Sequence, residues 1–245
     1  MTQCVSNRCG IQPNLGKTVC YSPSGGACPA DVVDLGASVW KSNLPDEERG
    51  VRILGCPFGS DNFVQDFLRT RNADEICFLD KITRMKNVQH AWLLMYFCLN
   101  PKINHLLRQL PPSLSEAAAR LHDGNLQRGL KTLLGWSEDE ELPAHVVEQS
   151  KFSIASCGFG LRDSVNLRHA AYWASWADTF PTLCHRFPEY TNLFSNDDSM
   201  QNCRCLRELA DASHRLHQFQ ILPTWTELLA GAQPLGESRM MAASL

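Results

Sequence analysis

Gly50-Val51-Arg52-Ile53-Leu54-Gly55-Cys56-Pro57-Phe58-Gly59-Ser60 divides this sequence into two kinds of chain. The apolar run 51–54 reads as a strand. Gly55 to Gly59, carrying Pro57, must bend. From Ser60 onward the apolar spacing turns helical, so the β character ends here and a helical protein begins.

Upstream of this stretch, Thr18-Val19-Cys20-Tyr21-Ser22 is the other short strand candidate, with Pro23-Ser24-Gly25-Gly26 as its turn. Residues 1–9 read as irregular. Two short strands joined by a long loop form a sheet edge and need further strands to make a domain. Downstream, Ser60 or Asp61 caps a helix with Phe63, Val64, Phe67 and Leu68 at three-four spacing. A second helix runs through Ile76, Leu79, Ile82 and Met85. A third carries Val88, Ala91, Trp92, Met95, Tyr96 and Leu99 and stops before Pro101. Ile103, Leu106, Leu107 and Leu110 continue to Pro111-Pro112. Ser113 with Glu116 has the pattern of a capping box. The helix that follows reaches Leu134, with Gly124 and Gly129 weakening its middle. Val165 to Phe180 is a further helix, and the last spans about 198–219, before a frayed tail after Gly231.

The 245 residues are 44 % hydrophobic and 20 % charged, which is globular composition rather than disorder. A net charge of −3 and a pI near 6.2 give no global attraction to nucleic acid. The charge is uneven, however. Residues 80–136 carry eight Lys or Arg against Asp80, Glu116 and Asp123, a local charge of +5, whereas residues 137–150 carry −5. Such a segment is either a basic face for phosphate or a solvated helical surface. No run of 18 apolar residues occurs, so no membrane span is expected. The N-terminus lacks the basic and apolar regions of a signal peptide. The eleven cysteines are therefore expected to be reduced thiols of an intracellular protein, cytoplasmic or nuclear. Cys56, Cys77 and Cys98 read as small core residues.

The order of motifs resembles non-LTR retrotransposon reverse transcriptases, from the end of the palm through the thumb. Gly10-Ile11-Gln12-Pro13-Asn14-Leu15-Gly16-Lys17-Thr18 is similar to the glycine-asparagine and Lys-Thr stretch that follows the family's catalytic Asp-Asp pair. The resemblance puts Lys17 near an incoming nucleotide, and makes 51–55, with Leu54 and Gly55, a primer grip. Leu99-Asn100-Pro101-Lys102 resembles the apolar-Pro-basic turn of the thumb. Leu121-His122-Asp123 resembles its Asp-bearing helix, Leu142-Pro143 the Leu-Pro after it, and Cys157-Gly158-Phe159-Gly160-Leu161 the glycine-rich turn that closes the region. Cys157 and Phe159 depart from that last motif.

The larger departure is catalytic. No Asp-Asp pair precedes Gly10, and Asp197-Asp198 lies far on the wrong side in a polar loop. Two-metal phosphoryl transfer needs such carboxylates. The family uses Mg2+, but its ligands are missing here, so no catalytic residue and no cofactor are expected. The resemblance implies a palm-end remnant over 1–60, a helical thumb-like domain over 61–186, and a helical extension over 187–245. The fold expected is mainly α, a thumb-like bundle with a small β-hairpin remnant. The function implied is that of a non-catalytic fragment or degenerate copy that keeps weak, non-specific affinity for an RNA–DNA or DNA duplex. Its candidate contacts are Lys17, Leu54, Gly55, Lys81, Arg84, Lys86, Lys102 and Arg108. Lys81, Arg84 and Lys86 fall within about one and a half helical turns, so at least two share a face. The alternative is a helical protein-interaction or scaffold domain.

Other chemistry is poorly placed. Cys4, Cys9, Cys20 and Cys28 are spaced too widely for a zinc knuckle, and Cys203-x-Cys205 too tightly, even beside Cys184-His185 and His214-x2-His217. Gly158-Phe159-Gly160 lacks the pattern of a phosphate loop. Trp173 and Trp176 could stack on bases, but core packing suits two indoles on an Ala-rich helix better.

Overall fold

A computed structural model describes residues 14–36, 38–137, 139–191, 194, 203–218 and 222–232. Gly10 to Pro13, Cys4, Cys9, Glu138, Asp197, Asp198 and the tail from 233 lie outside the described residues. The protein is mainly helical with a small antiparallel sheet near the N-terminus. It divides into two compact units at Arg69/Thr70.

The first unit holds a short helix α1 (Ala30–Val33) and the strands β1 (Gly50–Ile53) and β2 (Cys56–Gly59). The strands pair Gly50 with Gly59, Val51 with Phe58, Arg52 with Pro57 and Ile53 with Cys56. Leu54 and Gly55 close the hairpin, with φ of 49° and 83°. Two positive φ angles match the twist of a two-residue hairpin, which is why Gly55 follows Leu54 here. The partner of 51–54 is therefore the next segment and not 18–22. Thr18–Ser22 forms a single bridge, Cys20 with Trp40, and no strand. The Ser22 N–H donates to the Ser42 side chain at 2.7 Å, which takes the group that a longer ladder would use.

Helix α2 (Asp61–Thr83) runs through the boundary between the units. The Ser60 hydroxyl caps it by accepting from the Phe63 N–H at 3.2 Å. Two helices were expected between 61 and 85, but one forms. Arg69 to Glu75 contains neither Pro nor Gly, so nothing ends the helix there.

In the second unit, α3 (Val88–Leu94) passes into a π-turn over Met95–Leu99. The Asn100 N–H reaches back five residues to the Met95 carbonyl at 2.8 Å. Pro101 follows, and its ring cannot enter a regular helix, so the wide turn ends the element. Then come α4 (Asn104–Gln109), α5 (Pro112–Leu133), α6 (Ala144–Lys151), α7 (Ser164–Arg186), α8 (Arg204–His217) and α9 (Trp225–Leu229). Helix α7 is central, and α4, α5, α8 and α9 pack on it. One core joins Leu79 and Ile82 of α2, Met95 and Leu99, Leu126 and Leu130 of α5, and Leu161. Another is aromatic. Phe180 stacks at 4.5 Å on Phe194 and 5.0 Å on Trp225, beside fully buried Trp173. Edge and tilted contacts of this kind add to the burial of the rings.

Three further expectations change. Cys56 is buried, but Cys77 and Cys98 are exposed because they face away from Leu79 and Leu99 on their turns. Ser113 forms no capping box. Pro112 starts α5, and the Ser113 N–H and hydroxyl both donate to Glu208 of α8. Helices α6 and α9 complete the set, the latter with a capping box of Thr224 and Glu227. Among the described residues no helix is long and apolar enough to cross a membrane.

Candidate nucleic-acid interface

Three of the sequence motifs meet at Asn100. Its side-chain N–H donates to the Gly160 carbonyl at 3.1 Å, and its side-chain oxygen accepts from the Arg162 N–H at 2.9 Å. The Asn-Pro-Lys turn is thus bound to the glycine-rich turn sixty residues on. Gly160 has a φ of 65°, and a Cβ there would come within 2.8 Å of the Tyr96 ring. The turn seats Phe159 against Trp92 at 5.3 Å and Leu161 in the core.

The third motif joins the same point. His122 Nε2–H donates to the Asn100 carbonyl at 3.2 Å, and its Nδ1 lies 2.9 Å from the Glu75 carboxylate. Asn125 donates to Glu75 at 3.0 Å and to Asn72 at 2.9 Å. Burial pushes the Glu75 carboxyl up, but the bond and charge of His122, with Asn125 and Lys102, outweigh it and leave it below its ordinary value. Asp123 accepts from the Ser164 and Val165 N–H groups at 3.0 and 3.1 Å, so α5 caps the N-terminus of α7. These polar residues hold helices together, and Glu75, Asn100, His122 and Asn125 among them are buried.

The cations lie elsewhere. Lys17 is exposed on a 3-10 turn, and Leu54, 92 % exposed, is the hairpin tip beside Gly55; all three belong to the first unit. Lys81, Arg84 and Lys86 are exposed in the second unit. Helix α2 ends at Thr83, so only Lys81 is helical, and the helical face expected for the three is replaced by a helix end and its following turn. Arg84 lines a groove of about 270 Å3 with Asp80, Thr83, Arg128 and Thr132. Arg128, missed as a site residue in the sequence, stands 3.9 Å from Asp80. Its signal was its place in the basic segment, but forty-four residues of chain hid that it faces Arg84. Lys102 is exposed with its ammonium 5.5 Å above the Phe78 ring. Arg108 donates to Asp178 of α7 at 2.7 Å. Among the described residues no three His, Cys, Asp or Glu side chains gather as a metal site. Compared with known proteins, the chain matches no family model, no curated protein and no solved structure.

Proposed function

We propose that the second unit is a thumb-like module that holds the phosphates of a nucleic-acid duplex without performing chemistry, in a non-catalytic copy of a retrotransposon reverse transcriptase. One observation carries this reading: Arg84 and Arg128 line one groove with two threonines and a single acid, Asp80, and exposed Lys81 and Lys86 stand close to Arg84 in the chain. Guanidinium groups at a concave site suit phosphate oxygens, and such contacts are independent of base sequence. The order of motifs supports the polymerase ancestry.

The test is duplex binding as a function of salt. Affinity is expected in the range of about 10⁻⁴–10⁻⁶ M, falling steeply with salt as counterions are released. Joint replacement of Lys81, Arg84 and Lys86 by Ala should reduce the slope by about two to three. The same protein should extend no primer with Mg2+ or Mn2+. An unchanged slope, or no retention at low salt, transfers support to the protein-interaction reading, which rests on exposed Val88, Leu93 and Phe97 along α3 and the π-turn.

A further inference from the structure

A cleft of about 730 Å3 opens between the first turn of α5, the second turn of α7 and one face of α8. Its charges fall into two groups. Glu116 is held by Arg120 at 2.7 Å and by Arg168 at 3.1 Å. Glu208 accepts from the Ser113 N–H at 2.8 Å, from the Ser113 hydroxyl, and from Arg204 at 3.2 Å. These two carboxylates are already neutralised by their own partners. Arg207 and Arg215 of α8 also line the cleft, and among the described residues neither forms an ion pair. Asp211, between them on the helix, is the one lining acid without a described partner.

The α7 wall adds unpaired polar groups. Arg168 is buried, and its Nε–H has no partner among the described residues; both ring nitrogens of His169 are likewise buried and unpaired. Burial, with the charges of Arg168 and Arg215 beside it, pushes the His169 imidazole down to about 4, so the ring is neutral at physiological pH. A neutral imidazole offers one N–H and one lone pair.

We infer that this cleft binds the phosphate group of a small phosphorylated molecule, with Arg207 and Arg215 as its cationic pair and the Arg168–His169 wall as its hydrogen-bonding side. The two arginines are eight residues apart, about 12 Å along the helix, and both line the cleft; a planar guanidinium fork suits phosphate oxygens. The volume matches that of small-molecule pockets, about 300–1,000 Å3. Asp211, the lining acid without a described partner, repels a polyanion, so a single phosphate is favoured over a duplex. This site is separate from the groove of Arg84 and Arg128.

Calorimetric titration of the full chain at constant ionic strength tests it, with inorganic phosphate and adenosine 5′-monophosphate as probes. Saturable binding is expected for both. It should weaken by about tenfold or more in R207Q/R215Q, which removes two charge-assisted contacts. Both side chains are exposed, and the melting curve of the variant reports its folding. The variant lacking Lys81, Arg84 and Lys86 should bind the probes unchanged. Absence of saturable binding, or equal binding by R207Q/R215Q, overturns the inference. So does displacement of the nucleotide by duplex DNA whose own affinity falls in R207Q/R215Q, since the cleft would then belong to a nucleic-acid surface.

Discussion

At the scale of single residues, the most consequential pair is Glu75 and His122. Their side chains are 8 % and 1 % exposed, and they connect α2, α5 and the turn at Asn100. Removing one partner of such a pair leaves the other buried without compensation. His122→Ala should therefore cost about 3–5 kcal/mol, read as a lower urea midpoint. The pH dependence follows from the lowered Glu75 carboxyl. A carboxyl that is more acidic in the folded state stabilises the fold fully above the unfolded value of about 4.3, and this contribution disappears as the pH falls through the folded value. Stability should thus decline from pH 5 toward pH 3, and Glu75→Gln should make that decline shallower. An identical acid slope in the two proteins would show that the pair contributes nothing.

Elements add constraints that no residue has alone. Gly124 and Gly158 make the contrast. Gly124 lies on the exposed face of α5, and a Cβ there would touch nothing within 4 Å. Gly124→Ala should stabilise α5 by about 0.5–1 kcal/mol through helix propensity. Gly158 sits in the turn that returns from α6, and a Cβ there would collide with the Phe152 backbone carbonyl, which also accepts the Gly160 N–H at 2.7 Å. Gly158→Ala should destabilise by about 1–3 kcal/mol. Thermal melting of the two variants decides it: shifts of the same sign would mean that the glycine-rich turn does not fix the position of Leu161.

On the scale of the whole molecule, the core cluster described for the second unit is drawn from that unit itself. Each buried member of that cluster, from Leu79 to Leu161, follows Thr70, as do Trp173, Phe180, Phe194 and Trp225. A chain of residues 60–245, which keeps α2 with its Ser60 cap, should show a helical far-UV spectrum and one cooperative melting transition. A non-cooperative melt, with dye binding typical of exposed apolar surface, would show that this core is incomplete without the first unit.

Local chemistry was legible in the sequence. The change at Ser60, the stop before Pro101 and the apolar spacing of α5 and α7 each follow from rules that act within a few residues, and all hold in the structure. Those same rules could not choose partners. They paired 51–54 with distant 18–22, whereas a two-residue turn lets Cys56–Gly59 close the hairpin at lower entropic cost. They assigned Ser113 to Glu116, although Glu208, ninety-five residues away, receives its hydrogen bonds. They left Arg128 off the groove of Arg84, and they gave no sign that Arg207 and Arg215 would face Arg168 and His169. Periodicity, caps and breakers belong to the sequence because they depend on neighbours along the chain. Which carboxylate meets which cation, and which polar group is buried, is decided only when helices from distant parts of the chain pack around α7.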